Sequence, residues 1–350
     1  MASMQLTPRQ AAQTLLAGLG LALAPAAALA QSSAAVQQVG AVQQQRQLAP
    51  SGSPSYATNS VPELYPGEVA DVGIQSILPT RHPWPRLAGS ADIQYFYTDN
   101  ALYTSHELRG ADVLVSTIEA TLAAPPTTLA DGWVVPRAGF QAQWYNYGLA
   151  SQSSFTEYDY KTQAFATKDL GSLDFNVQTV FLDATWRRRD WVLTVGTDYR
   201  RLLDATENAQ FYSELVPRWG LQRLFALSPT TGLSLSYQGD VRVTDTRLTS
   251  PGLNSSSGNC IDQGLMLAGS WTLCPRAILQ PYYRFEWSHY TGIHRDDLLN
   301  SFGLMLNFPL TRQINFRTYV SYDNLNTSST AVQRYETLAA GVGANLTVAF

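Results

Sequence analysis

The residues of this sequence that could do chemistry are charged and polar side chains at alternate positions of segments that are otherwise apolar. Successive side chains of a β-strand point to opposite sides, so residues two or four apart share one face. Asp92 and Glu119 belong to this set, whose main members are Arg137, Gln141, Asp198, Arg200, Glu214, Arg218, Asp240, Arg242, Arg284, Glu286 and Arg317. An acid and an arginine on the same face can pair with each other or present their charges to water and small solutes.

Catalytic and metal-binding patterns are weak in this sequence. Ser288 and His289 are adjacent, so in a strand they point to opposite faces and cannot form a direct hydrogen bond between a base and a nucleophile. The segment HRDD at 294–297 contains ligand types for a divalent cation, but we interpret it as a solvated loop. No G-x-S-x-G, H-E-x-x-H, Walker or Rossmann pattern occurs in a suitable context. We predict no enzymatic activity, no metal site and no cofactor.

Twelve segments of alternating hydrophobicity carry the charged set. They lie near 91–98, 112–123, 133–147, 173–186, 191–201, 210–224, 233–244, 263–274, 277–289, 299–308, 314–322 and 336–350. Most have the length of a tilted membrane-spanning strand, about 9–11 residues or more, rather than the 5–6 of a soluble sandwich. The alternation slips in 112–123 and 173–186, which leaves ten or fourteen strands as alternatives.

The connections between these segments alternate between short and long. The short ones are APPTTLADG, RRRD, SPTTG, PR and PLTRQ, and they always occupy the even-numbered positions. Bacterial membrane barrels have short turns on the periplasmic side and longer loops outside. This phase would place both chain ends in the periplasm. A soluble all-β sandwich is the alternative interpretation.

The most regular segments have one apolar face and one polar face. In VVPRAGFQAQWYN, alternate residues from Val134 to Trp144 are apolar, while Arg137, Gln141 and Gln143 lie on the other side. Several tryptophans fall near segment ends, where aromatic residues contact lipid headgroups. They are Trp133, Trp144, Trp186, Trp191 and Trp287.

The first ninety residues differ from the rest. Residues 1–30 have a basic start, an apolar stretch and the sequence Ala28-Leu29-Ala30, which predicts a signal peptide cleaved before Gln31. Residues 31–90 are rich in Gln, Ser and Pro and predict a partly disordered periplasmic extension. The barrel would then comprise 91–350.

Composition excludes one class of partner and constrains the cysteines. The chain has 23 Lys and Arg against 27 acidic residues, a formal net charge of −4, which does not indicate nucleic-acid binding. Cys260 and Cys274 flank a strand-like segment that would hold them tens of ångströms apart, so we expect no disulfide between them. The arginines at 187–189 could hold lipid phosphates or contact a periplasmic partner, although a solvated turn is the preferred interpretation.

With its cleavable signal, even number of alternating strands and closing strand that ends on an aromatic residue, the chain resembles bacterial outer-membrane β-barrel proteins. The resemblance covers 91–350 as an architecture and implies an all-β fold, a transmembrane antiparallel up-and-down β-barrel of twelve strands. It also implies that Phe350, Val348 and Leu346, followed upstream by Ala344 and Val342, form the signal that the outer-membrane assembly machinery recognises.

These features together predict an integral protein of the outer membrane that contacts its lipids. We expect a porin-like channel for small hydrophilic solutes. The inner face of this channel would carry the charged set, because a charged side chain on that face does not contact lipid. The near balance of charges argues against strong ion selectivity. One alternative is a closed barrel that acts as an anchor, with residues 31–90 binding a periplasmic or cell-wall partner. An outer-membrane lipid-modifying enzyme is the third.

Overall fold

The computed structural model describes residues 86–105, 108–150, 154–159, 164–246, 255–329 and 334–350. The predicted signal peptide and residues 31–85 of the predicted extension lie outside this part of the chain. The described residues form fifteen strands: β1 Arg86–Thr98, β2 Ala111–Ala123, β3 Thr127–Leu129, β4 Gly132–Tyr147, β5 Ser154–Asp159, β6 Ala164–Asp169, β7 Phe175–Arg188, β8 Trp191–Asp204, β9 Gln210–Ser228, β10 Thr231–Thr246, β11 Cys260–Cys274, β12 Ala277–Tyr290, β13 Arg295–Pro309, β14 Ile314–Thr327 and β15 Tyr335–Ala349. A short 3₁₀ helix, Leu170–Leu173, precedes β7.

Twelve of these strands form one closed antiparallel barrel. Each barrel strand pairs with the next one along the chain, and β15 returns to pair with β1, with Ala88 opposite Ala349 and Asp92 opposite Asn345. The three other strands are short: β3 extends the edge of β4, and β5 pairs with β6 in a separate hairpin. Closure leaves the twelve described barrel strands without a free edge, and this is the condition for crossing a bilayer with strands.

The prediction of twelve strands is confirmed, including the two segments whose alternation slips, which form β2 and β7. The short connections between strands lie at one end of the barrel. The first and last described residues, Arg86 and Phe350, lie at the same end, where the Phe350 N–H donates to the Leu87 carbonyl at 2.8 Å. β1 begins at Arg86 rather than near residue 91. Its first five residues, RLAGS, are mostly small and show no alternation, but they pair with β2 up to Ala123.

The two faces of the barrel differ in polarity as the alternation predicts. Large apolar residues are exposed on the outside, where lipid would cover them, among them Ile93, Phe140, Val180, Leu215, Phe302 and Val342. Polar residues at the intervening positions are buried inside, among them Gln94, Gln143, Thr179, Ser301 and Thr337. An apolar outside and a polar inside are the organisation of a barrel that spans a membrane.

The two cysteines are free and occupy the first and last positions of β11. At about 3.3 Å per residue, one strand holds them too far apart for a disulfide.

No helix among the described residues is long and apolar enough to cross a bilayer.

Candidate functional site: the charged interior of the barrel

The predicted charged residues lie on the inner face and pair mainly between neighbouring strands. Arg137 on β4 donates two hydrogen bonds to Asp183 on β7, at 2.9 and 3.0 Å. Arg218 on β9 reaches the same Asp183 at 3.2 Å and also donates to Asp198 on β8 at 3.0 Å. These four side chains therefore form one continuous network across four strands.

A separate ion pair lies closer than this network to the end of the barrel with the longer loops. Arg200 on β8 contacts Glu214 on β9 at 2.5 Å, and Glu214 also accepts a hydrogen bond from the Tyr212 hydroxyl at 2.8 Å. Glu214 is 4% exposed, so its charge is held inside by these two donors rather than by water.

Acidic residues outnumber arginines in the third group. Arg242 on β10 contacts Asp262 at 2.6 Å, Asp240 at 3.5 Å and Glu286 at 3.9 Å. Glu286 is shared with Arg284, which lies at 3.2 Å on the same strand. Three carboxylates are thus compensated by two guanidinium groups.

Arg317 joins the last strands of the barrel to the first. It lies on β14, crosses β15 and makes a bidentate pair with Asp92 on β1, at 2.7 and 2.8 Å. The intervening residue of β15 is Gly343, which is opposite Arg317 in the register. A Cβ at Gly343 would lie 2.9 Å from the Arg317 Cζ, so the absence of a side chain lets the guanidinium cross the strand.

The other predicted residues have simpler surroundings. Gln141 on β4 donates to Glu119 on β2 at 3.2 Å. Leu346 and Phe350, from the predicted assembly signal, are exposed on the outside at 42% and 79%. Val348 is partly buried on the same strand.

Apolar side chains fill the interior at the end with the longer loops. Tyr103, from the loop after β1, packs edge-on against Tyr335 at a centroid distance of 5.0 Å, and Tyr145 stacks on Phe175 at 4.4 Å. Burial raises the pKa of the Tyr103 hydroxyl well above its ordinary value, so this group stays neutral. The cluster also includes Ala101, Val113, Val115, Phe155, Leu170, Val177 and Leu202. The interior therefore has a charged middle and an apolar, aromatic outer section.

Sequence reasoning did not select several inner acids that complete the charged networks, namely Asp183, Asp262 and Asp323. Asp183 lies in β7, whose inner face also carries the apolar Phe175 and Val177, so the polar face of that segment is not obvious. Strand register, which decides which acid meets which arginine, has no local signal in the sequence.

Ser288 and His289 point to opposite faces, as predicted. Ser288 is buried inside, while His289 is exposed and its Nδ1 lies 2.8 Å from an oxygen of Asp296 on β13. The segment HRDD at 294–297 is not the solvated loop that the sequence suggests, because Arg295 begins β13 and pairs with Asp297, and both side chains are largely buried. Within the described part of the chain, no group of three or more His, Cys, Asp or Glu residues is placed to hold a metal ion.

Comparison with known proteins gives matches in structure only. No family model and no curated protein matches the sequence. An outer membrane channel from Pseudomonas putida F1 is similar at a TM-score of 0.44 and 13% identity, covering 76% of this chain and 97% of that one. The β domain of the Bordetella autotransporter BrkA has a TM-score of 0.39 and 14% identity, covering 74% of this chain and 99% of that one. The NanC porin has a TM-score of 0.39 and 10% identity, covering 73% of this chain and 98% of that one. Each TM-score is below 0.5, so these similarities carry no argument about the function of this chain.

Proposed function

We propose that this protein is a porin-like channel of the bacterial outer membrane that passes small hydrophilic solutes. The observation that carries the proposal is the charged and hydrogen-bonded inner face of a closed barrel whose outer face is apolar. Paired arginines and acids can line a narrow aqueous path, because each charge keeps a partner while water and solutes exchange beside it. The width of a barrel interior grows with the number of strands. Side chains just fill the interior of an eight-stranded barrel, a barrel of sixteen or more strands encloses a water channel, and twelve strands give an intermediate width.

The proposal includes an orientation and two sets of partners. The short turns, Arg86 and Phe350 would face the periplasm, and the longer loops would face outside. The outer residues would contact outer-membrane lipids. The outer-membrane assembly machinery would recognise the closing strand through Phe350, Val348 and Leu346.

Planar-bilayer recording of the refolded protein tests the channel. Discrete conductance steps are expected for the full chain and for a variant without residues 31–85, a deletion that leaves β1 intact. Absence of any step in both proteins would contradict a channel.

The aromatic cluster at the longer-loop end favours a second candidate function, a closed barrel that anchors a partner through residues 31–90. Tyr103 and Phe155 enter the interior from the loops, and such packing leaves less room for water than the charged section below it. In this case, sedimentation with purified cell wall should require residues 31–85 while barrel assembly does not. Equal sedimentation with and without this segment would exclude the anchor.

A lipid-modifying enzyme is the weakest of the three candidates. The Nδ1 of His289 pairs with Asp296, and the adjacent Ser288 faces the interior, away from lipid. We propose that the barrel is not an enzyme. A lipid-hydrolysis assay on the purified barrel, with His289→Ala as the comparison, would reveal activity that depends on this residue.

A further inference from the structure

Arg223 is a charged residue on the outside of the barrel, among residues that face lipid. Its guanidinium lies over the ring of Trp191 at 5.0 Å and over that of Phe225 at 4.9 Å. Its neighbours on the same face of β9, Leu221 and Trp219, are exposed. No ion pair joins Arg223 to a carboxylate in the part of the chain that the structure describes.

The strand register places a second arginine beside the same tryptophan. Arg188 on β7 is opposite Trp191 on β8, and Trp191 is opposite Arg223 on β9. Neighbouring strands are about 4.8 Å apart, so the two arginine backbones flank the tryptophan about 10 Å from each other. Two long side chains at this spacing can converge on one group above the indole ring.

This row lies at the short-turn end of the barrel, where the membrane boundary is expected. Trp191 follows directly after the two-residue turn of Arg189 and Asp190, and the Asp190 carbonyl accepts a hydrogen bond from the Leu224 N–H at 2.9 Å. The cost of a lipid-facing charge falls steeply from the bilayer midplane to the interface. A position at the boundary therefore lets Arg223 meet a lipid headgroup.

The local charge favours an anion. Three arginines, at 188, 189 and 223, lie in or next to the row, against Asp131 and Asp190, whereas Arg187 belongs to the inner-facing positions of β7. Asp131 contacts Arg188 at 3.2 Å, but the acid side chain is 86% exposed, so this pair is weak and replaceable. Trp191 itself is 39% exposed. It offers a flat apolar surface to the glycerol and first acyl carbons of a lipid.

We propose that Arg188, Trp191 and Arg223 bind the phosphate of an anionic phospholipid in the leaflet on the short-turn side. Each guanidinium presents a planar fork of N–H donors that matches two phosphate oxygens. The acyl chains of the lipid continue along the exposed Leu193, Val195 and Leu221. The excess of positive charge favours phosphatidylglycerol or a related anionic lipid over a zwitterionic one with the same phosphate.

Native mass spectrometry of the refolded full chain tests this site. The protein is titrated with phosphatidylglycerol and, separately, with phosphatidylcholine that has the same acyl chains. More phosphatidylglycerol than phosphatidylcholine is expected to stay bound. The double variant R188Q/R223Q should lose about tenfold in apparent affinity for phosphatidylglycerol, because two charge-assisted contacts are removed. The single variant Arg223→Gln should lose about threefold in apparent affinity for phosphatidylglycerol. If the double variant does not fold, the single variant is the test of the site.

Arg201→Gln is the matched control. Arg201 is also exposed on the outside of β8, but it lies near the opposite end and donates to Gln178 at 2.8 Å. Its substitution is expected to leave lipid retention unchanged. Unchanged retention in R223Q, or an equal loss in R201Q, would overturn the site. Inorganic phosphate that displaces the lipid at equal concentration would show that the site takes free phosphate rather than a lipid.

Discussion

The pair between Arg317 and Asp92 is a buried contact between residues near the two ends of the barrel chain. Both side chains are almost fully buried, at 1% and 4% exposure, and the two residues are 225 positions apart. Sequence analysis places both on the inner face, but it gives no indication that they meet. Their contact depends on the return of β15 to β1 and on the missing side chain at Gly343.

Removing one partner of this pair should destabilise the barrel strongly. Asp92→Asn keeps the shape but leaves the Arg317 charge without its counterion, and breaking a buried ion pair costs about 3–5 kcal/mol. Urea unfolding of the protein in lipid vesicles measures the loss. The control is Arg201→Gln on the outside, which should change the free energy of unfolding by less than about 0.5 kcal/mol. A D92N barrel as stable as the R201Q barrel would contradict a structural role for the pair.

Gly343→Ala should destabilise the barrel by about 1–3 kcal/mol, because the new Cβ overlaps the Arg317 guanidinium. The same vesicle-based unfolding experiment measures this effect. Gly89→Ala is the matched control on β1, since its new Cβ would have its nearest neighbour at 3.8 Å. The G343A effect should shrink when Arg317 is replaced by Ala, because the two positions are in contact. Equal effects of G343A with and without Arg317 would show that the guanidinium is not the cause.

At the level of elements, the sequence predicts all twelve barrel strands, because alternation of polarity is a local signal. The two segments where it slips, 112–123 and 173–186, are those whose inner faces become apolar. Val113 and Val115 on β2, like Phe175 and Val177 on β7, pack into the aromatic cluster instead of facing water. The start of β1 at Arg86 and the β5–β6 hairpin were not predicted, because small residues and a long loop give no periodic pattern.

A pair of engineered cysteines tests the closure between β1 and β15. Ala88 and Ala349 are directly opposite in the register, next to the hydrogen-bonded pair of Leu87 and Phe350. The positions are therefore a non-hydrogen-bonded pair with Cα atoms about 4.5 Å apart, within reach of a disulfide. In a background of Cys260→Ser and Cys274→Ser, the double variant A88C/A349C should oxidise to a cross-linked species that migrates differently on denaturing gels.

The control for closure is the pair A88C/A344C in the same background. Ala344 is opposite Ile93 rather than Ala88, so its cysteine lies about 16 Å along the strand and should not form the disulfide. Equal cross-linking of both pairs, or none for A88C/A349C, would contradict the register of the closing strands.

The aromatic cluster should restrict passage through the barrel. Tyr103→Ala removes a ring that packs on Tyr335 inside the longer-loop end. If the interior is a channel, this truncation should raise the single-channel conductance. Phe316→Ala is the control, because Phe316 is 47% exposed on the lipid-facing side and its removal should leave conductance unchanged. An unchanged conductance in Y103A would show that the narrowest section lies elsewhere.

At the scale of the whole molecule, the charge of the chain differs from the charge that its interior presents. The chain as a whole is nearly neutral at −4, and this composition alone predicts little ion selectivity. On the inner face of the described strands, however, Arg242 and Arg284 are shared by three acidic residues, Asp240, Asp262 and Glu286. Total composition could not show this grouping, because it depends on which face each strand presents. The charged interior should therefore favour cations modestly.

Planar-bilayer recording under a potassium chloride gradient tests the central claim, that the charged interior of this barrel conducts. We predict discrete conductance steps for the refolded protein, a reversal potential on the side of potassium permeation, and a shift of that potential toward zero in the variant Glu286→Gln, which removes one acid of the group around Arg242 and Arg284. Absence of steps in the wild-type protein and in Y103A would contradict a channel. Steps with a reversal potential on the chloride side would contradict the acidic interior as the selective region.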